Sequence, residues 1–368
     1  MRLSDYFDAT AERFPNRVAL EDQGRSIDFA AAQRIVHATA HALDREPGLR
    51  PGAHVGLYAP NDYRVPLLQL AVNRCDRVWL SVHTRNPVEV NIEVLSYMDC
   101  EFMFFHSAYE HVVPQLKARL PKLTGFVCID RPSEHGPSLE AWMAAAAGPY
   151  RAGLENPLAG AVLQPTGGTT GPSKAGLYTH RSLEMMFLAL RECFRFTPDS
   201  RVLAAAPLTH AGGIVALACL CCGGRVVVTN LTTPGQALDE IERARITHLF
   251  LPPTLLYMLI NEMQAAPRDV SSLKRIMTGA APVAPDKVKE ATRLFGPVMA
   301  EGYGSTENGS PVLWKHPEDY INPDGSFDDA ALASAGRAVP YARVEIMDLD
   351  GRILPPGERG EIVVQSGT

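Results

Sequence analysis

Hydrophobic positions along this chain repeat with two periods that take turns. Helical spacing marks residues 3–14 and an Ala-rich stretch from Ala30 to Asp44. Between them, Val18–Asp22 and Ser26–Phe29 alternate at strand spacing around a turn at Gly24. From Pro51 the pattern reads strand, helix, strand, helix. Strands are predicted at His54–Ala59, Val78–Val82, Glu101–His106 and Phe126–Asp130, with helices opened by Asn61 and Asp62, opened by Asn86 and Pro87, and ending near Leu120. Such alternation predicts a mostly parallel sheet with helices on both faces.

Residues 131–137 and 148–157, rich in Pro, Gly and Ser, flank a short Ala-rich helix and mark a passage between subdomains. Strands then follow at Ala161–Gln164, Gly176–Thr179, Val202–Pro207, Arg225–Thr229, His248–Leu251, Arg275–Thr278 and Val298–Glu301. Helices alternate with them at Ser182–Phe194, from about Gly213, and at Gly235–Ala244, Thr254–Gln264 and Ala284–Phe295. From Arg337 the segments shorten to Arg343–Asp348, Arg352–Leu354 and Glu361–Gln365, with turns at Asp350-Gly351 and Pro355-Pro356-Gly357, a β-meander pattern. The expected fold class is α/β: two mostly parallel α/β-layered subdomains, 1–157 and 158–335, and a small β-barrel-like subdomain over 336–368.

A chain of 368 residues can bury a large core in two or three such parts, at roughly 150 residues each. Its net charge of −6 offers no basic footprint, so nucleic acid is not an expected partner. The longest apolar run, Ala211–Cys222, is too short to span a bilayer, and no apolar signal core follows Met1. The chain reads as soluble and cytoplasmic. Seven cysteines without two Cys-x2-Cys units, and eleven histidines without ligand spacing, predict neither a disulfide framework nor a zinc site. The vicinal Cys221 and Cys222 close an apolar helical run and read as buried, inert thiols.

Candidate chemistry is concentrated in three stretches. In Gln164–Ser182, Gly167, Gly168 and Gly171 let the backbone approach an anion. Thr166, Thr169 and Thr170 add hydroxyls, and Lys174 adds a compact positive charge. The spacing is neither that of a Walker loop, since Ala175 follows Lys174, nor a dinucleotide fingerprint. A phosphate nest and a glycine-rich surface hairpin both remain compatible with it. The second stretch, Glu301–Glu307, is expected just after a strand, where Tyr303 offers a flat face, Thr306 a hydroxyl and Glu307 a hard carboxylate suited to Mg²⁺. A plain turn with a capping Thr and Glu is the alternative. The third, Pro207–Gly213, holds His210, a candidate ligand-facing group or a satisfied core histidine.

Residues Thr166 through Gly171 with Lys174 resemble the signature loop of the adenylate-forming superfamily, which includes acyl-CoA synthetases, adenylation domains and luciferases. Ser173 and Ala175 stand where that family usually has Pro and Gly. Tyr303, Gly304, Thr306 and Glu307 match its second signature, Thr278–Pro282 is similar to its adenine-lining turn, and Gly357–Glu361 to the entry of its β subdomain. The Pro207–His210 segment looks like that of acyl- and aryl-CoA synthetases, where the His borders the carboxylate pocket. Two departures, Cys75-Asp76-Arg77 and Asp28-Phe29, bear on packing.

The resemblance implies an enzyme that joins a carboxylic acid to ATP as an acyl-adenylate and then to the thiol of CoA. Lys174, Thr306, Glu307 and His210 would be catalytic, with Mg²⁺ at Glu307. ATP or AMP would meet residues 166–171, Lys174, Gly279, Ala280, Ala281, Pro282, Glu301, Gly302, Tyr303, Gly304 and Thr306. The acid would meet His210, Ala211, Gly212, Gly213, Gly279 and Gly304. No acidic residue occurs from Pro207 to Leu238, which argues for a plain acid over an amino acid, and the apolar run after Gly213 suggests a roomy aryl, alicyclic or alkyl pocket. A carrier-protein thiol as acceptor, and a non-catalytic adenylate-binding protein, are the alternatives. Relatives would continue with a ribose-binding Asp, a hinge and a small domain bearing a catalytic lysine. With none of these among the 368 residues, the chain is expected to act as an isolated large domain with impaired catalysis.

Overall fold

Strand follows helix through the computed structural model largely as the hydrophobic periods require; it describes residues 1–146, 148–166 and 174–367. The chain opens with α1 (Leu3–Arg13), β1 (Val18–Asp22), β2 (Arg25–Asp28), α2 (Phe29–Arg45), β3 (His54–Tyr58), α3 (Arg64–Arg74) and β4 (Val78–Leu80). It continues with α4 (Val88–Tyr97), β5 (Phe102–Phe105), a 3₁₀ turn (Ser107–Val112) leading into α5 (Val113–Arg119), β6 (Gly125–Cys128) and α6 (Leu139–Met143). Next come β7 (Gly160–Thr166), β8 (Lys174–Thr179), α7 (His180–Phe194), β9 (Arg201–Ala204), α8 (Ala211–Cys221) and β10 (Arg225–Val228).

These elements fall mostly in one compact unit, Met1–Glu184 with Phe196–Leu231. One of its sheets has the order β6-β5-β3-β4-β7-β8, parallel except for the β7–β8 hairpin. β5 is Phe-Met-Phe-Phe, buried at all four positions, as a strand covered on both faces must be. The passage read near residue 157 does not end this sheet, because β7 pairs with β4 through Trp79 and Val162. A second sheet runs β9-β10-β1-β2, parallel apart from β1–β2. Helix α2 starts where Asp28 accepts a hydrogen bond from Ala31 N at 2.6 Å, a local N-cap, and buries Phe29, Ala32, Val36, Ala40 and Leu43 on one face.

The Cys75-Asp76-Arg77 turn is a packing device, as expected. Asp76 takes a φ of 56°, and its carboxylate receives the Arg2 guanidinium at 2.9 and 3.0 Å. Arg77 reaches Asp44 and the carbonyl of Leu49, fixing α2 against β4.

The second unit comprises Met185–Arg195 and Thr232–Thr368. It holds α9 (Pro234–Ala244), β11 (His248–Leu251), α10 (Pro253–Ala265), β12 (Arg275–Thr278), α11 (Pro285–Phe295), β13 (Met299–Ser305) and β14 (Gly309–Lys315). After a 3₁₀ turn (Pro317–Tyr320) come α12 (Asp329–Ala333), β15 (Arg337–Ala338), β16 (Ala342–Met347) and β17 (Glu361–Ser366). β11, β12 and β13 are parallel, while β14 and β15 add antiparallel strands. Thr233 and Gln236 form a capping box with Pro234 at the first turn of α9.

Two expectations change here. The C-terminal stretch is not a closed barrel among the described residues: β16 and β17 form a two-stranded antiparallel sheet, and the expected strand Arg352–Leu354 contributes one bridge, Ile353 to Met347. The strand expected to stop at Glu301 runs on to Ser305, because β14 supplies an antiparallel partner that no local pattern announces.

Candidate functional site

In the first unit two of the candidate residues, Thr166 and His210, come together near the carboxyl ends of β7 and β9, the usual ligand edge of a parallel sheet. β7 and β8 extend to Thr166 and Lys174, which pair across the hairpin, and Thr166 Oγ1 donates to the Lys174 carbonyl at 3.4 Å. Lys174 is exposed. The expected phosphate contacts Gly167, Gly168, Thr169, Thr170 and Gly171 lie outside the described residues, so the structure addresses only the two ends of that loop.

His210 sits where β9's exit turns into α8. Its backbone precedes the helix, but its ring does not cap it. Thr209 Oγ1 lies 3.0 Å from His210 Nδ1, and the His83 ring meets His210 edge-on, centroids 4.9 Å apart. Burial, and secondarily the neighbouring His83, lowers the His210 pKa to about 4, so the ring is neutral at ordinary pH. Both rings, with Thr166, Asn86, Asn91, Val82, Val90, Val94 and Leu95, line a cavity of about 390 Å³. No acidic side chain is among the described residues that line it.

Ala211, Gly212 and Gly213 are not among the cavity's lining residues. A Cβ on Gly213 would stand 2.1 Å from the Leu208 carbonyl oxygen, and one on Gly212 2.8 Å from that of Pro207. These glycines let α8 start hard against the strand exit.

Asn61, expected only as a helix opener, positions this segment. Its Nδ2 donates to the carbonyls of Ala204 and Ala206 at 2.8 and 3.1 Å, and its Oδ1 accepts from Leu208 N at 2.9 Å. One side chain thereby satisfies the backbone just ahead of His210. Neither Asn61 nor His83 carried a sequence signal for this role, since their partners lie more than a hundred residues away in the chain.

In the second unit, β13 and β14 form a hairpin whose tip is Thr306-Glu307-Asn308. Asn308 Oδ1 accepts from Ser305 N at 2.8 Å, and Gly309 follows with φ 67°, closing a three-residue loop. Tyr303 and Glu307 are exposed and Thr306 is half-buried. Gly302 is required by crowding, because a Cβ there would come within 2.6 Å of Met277 Cε and 3.2 Å of the Trp314 ring. Beside it Gly279 is buried, its Cβ position 2.9 Å from the Gly302 carbonyl oxygen, and Ala280 adopts φ 65°, a left-handed turn that presents Ala280, Ala281 and Pro282 to solvent. Gly304 is half-buried within β13.

Glu301, expected beside the nucleotide, also has side-chain partners of its own. Its carboxylate pairs with the buried Lys315 directly across the hairpin and accepts from Tyr320 OH at 3.0 Å. Lys315 Nζ also donates to the Ala331 carbonyl at 3.1 Å and lies 4.9 Å from the Tyr320 ring centre. This interior charge pair sets the root of the hairpin whose tip carries Thr306 and Glu307.

No group of three or more metal-ligating side chains occurs among the described residues. Glu307 alone fits Mg²⁺, which takes one or two carboxylates together with substrate phosphates more readily than an all-protein cage.

A layered α/β chain with a glycine-rich hairpin, a histidine cavity and a Tyr/Thr/Glu hairpin defines a class of adenylate-forming enzymes. The sequence profile of the AMP-binding enzyme family matches residues 7–368, and the chain belongs to that family. The medium/long-chain fatty-acid–CoA ligase FadD8 of Mycobacterium tuberculosis is 34% identical over 199 residues, 54% of this chain and 34% of that protein. A feruloyl-CoA synthase from an Amycolatopsis species is 28% identical over 96% of this chain and 68% of its own length. The structure of the amide bond synthetase McbA from Marinactinospora thermotolerans matches with a TM-score of 0.88 at 28% identity, over all of this chain and 71% of McbA. These matches span from about a third to about seven tenths of the relatives' lengths. No helix among the described residues is long and apolar enough to cross a membrane.

Proposed function

We propose that this protein activates a carboxylic acid with ATP in the cytoplasm and transfers the acyl group to the thiol of CoA. In the first step a carboxylate oxygen attacks the α-phosphorus, the bond to the bridging oxygen breaks, and pyrophosphate leaves. In the second the thiol sulfur attacks the acyl carbon, its proton passes to solvent or a base, and AMP departs with the bonding electrons. The observation that carries this reading is the cavity beside His210. A neutral imidazole can accept or donate one hydrogen bond to a carboxyl or carbonyl oxygen, and with no acid among the described lining residues nothing there favours a substrate ammonium group.

The remaining residues take separable roles in the proposal. Lys174 and the Thr/Gly loop hold the β- and γ-phosphates; Tyr303, exposed on its hairpin, offers its face to adenine; Thr306 meets the α-phosphate. Glu307 would hold Mg²⁺, which when bound offsets phosphate charge. The mixed lining of the cavity, with Val82, Val90, Val94, Leu95 and Pro165 beside two amides, suits an aryl, alicyclic or medium-to-long alkyl acid.

Calorimetry of this chain with AMP and with non-hydrolysable benzoyl, alicyclic and long-alkyl adenylate mimics tests the reading. One mimic is expected to bind roughly a hundredfold more tightly than AMP, as transition-state-like and intermediate mimics do. Binding of neither AMP nor any mimic would overturn it. The likeness to McbA, whose name specifies amide formation, supports a second acceptor class. Offering CoA, a phosphopantetheinyl carrier protein and a simple amine to the preformed adenylate separates these outcomes.

A further inference from the structure

His83 was not singled out by any motif, yet it shares the cavity wall with His210. It follows β4, and its ring stands at 67° to that of His210 with centroids 4.9 Å apart. Arg85 donates its backbone N–H to His83 Nδ1 at 3.3 Å, so the neutral ring carries its proton on Nε2. The backbone at His83 is anchored from α4: the buried Asn91 donates through Nδ2 to the His83 carbonyl at 3.0 Å and to Tyr58 OH at 2.9 Å. His210 is constrained on its other side by Thr209.

We propose that His83 is a positioning residue: its edge-on contact holds the His210 imidazole in one orientation at the cavity wall, aimed at the carbonyl end of the bound acid. This rests on the acid-activation reading above. With Nδ1 of His210 directed to Thr209, its Nε2 is the atom left to meet the acyl oxygen. The charged and titratable groups facing the pair are Arg85, which acts on His83, and each histidine for the other. The remaining polar side chains among the described residues of the wall, Ser81, Asn86, Asn91 and Thr166, carry no charge. Burial foremost, and then these neighbours, lower both histidines below their ordinary value. A ring that swung into water would recover its ordinary basicity, so the contact that fixes orientation also keeps His210 neutral.

The test uses His83→Ala and His83→Phe, with calorimetric binding of AMP and of the tightest adenylate mimic between pH 5 and 8. For His83→Ala the mimic should weaken about tenfold, the worth of one hydrogen bond, with AMP little changed. Its low-pH loss of mimic binding should begin at higher pH than in the wild type. His83→Phe, which keeps a ring against His210, should recover most of the affinity. Equal losses for mimic and AMP, or an unmoved pH profile, would overturn the role of His83. If the alanine chain does not fold, the phenylalanine variant decides: mimic binding lost in a folded protein that retains AMP also overturns ring-to-ring positioning. A wild type that binds no mimic refutes the acid-activation reading instead, which keeps the two failures apart.

Discussion

His210 in the first unit is partly buried and His248 in the second is buried, and both have their pKa lowered to about 4, chiefly by desolvation. Their surroundings differ. On β11, His248 has both ring nitrogens engaged, Nδ1 with Thr247 Oγ1 at 2.6 Å and Nε2 with the Phe194 carbonyl at 3.1 Å. His210 has Thr209 at Nδ1, His83 at its edge and a cavity beside it. A depressed pKa therefore does not by itself tell the two histidines apart; the cavity beside His210 does. Charge is handled differently at the hairpin of the second unit, where the buried Lys315 pairs with the partly buried Glu301 at the root while Glu307 at the tip is exposed.

The largest effect should come from breaking that root. Lys315→Met leaves Glu301 beside Tyr320 without its ammonium partner and should cost about 3–5 kcal/mol of stability. Urea denaturation reads this, and a loss under about 1 kcal/mol would show that packing, not the ion pair, sets the hairpin.

Next is the pH dependence of the two histidines. Each has a folded pKa below its unfolded value near 6.5, so the folded state takes up a proton less readily than the unfolded one. The stability they contribute is complete above about pH 6.5 and is lost as pH falls toward 4, by roughly 3 kcal/mol for each ring. Replacing either with a neutral isostere, His248→Gln or His210→Gln, should remove about half of the acid loss in thermal melts. Only His210→Gln should also weaken the adenylate mimic, and equal weakening by both would erase the distinction between them.

The smallest effects concern glycines. Gly213→Ala places a methyl against the Leu208 carbonyl and should cost about 1–3 kcal/mol. At Gly325, with φ 84° and open space around it, alanine should cost only about 1 kcal/mol through backbone strain. A reversal of that order in measured melting temperatures would mean that α8 relaxes away from the strand exit.

Residue order was enough for whatever depends on neighbours in the chain. The helical and extended periods of α2, β3 and β11 arise from which positions must be apolar within one element, and the Asp28 and Thr233 caps act within three residues. The glycine-rich loop and the Tyr303–Glu307 motif could be picked out as candidates because the chemistry proposed for them depends on residue type at close spacing. Tertiary structure decided the rest. β14 begins Gly-Ser-Pro, a poor strand on its own, and becomes one because β13 pairs with it. The ion pair of Glu301 with Lys315, fourteen positions on, appears only once the hairpin sets the two across from each other. Asn61 and His83 gained their roles from partners more than a hundred residues distant, across two different sheets, β3 and β4 lying in one and β9 in the other. Hydrogen bonds and ring contacts depend on separation in space, and only the packed sheets set that separation.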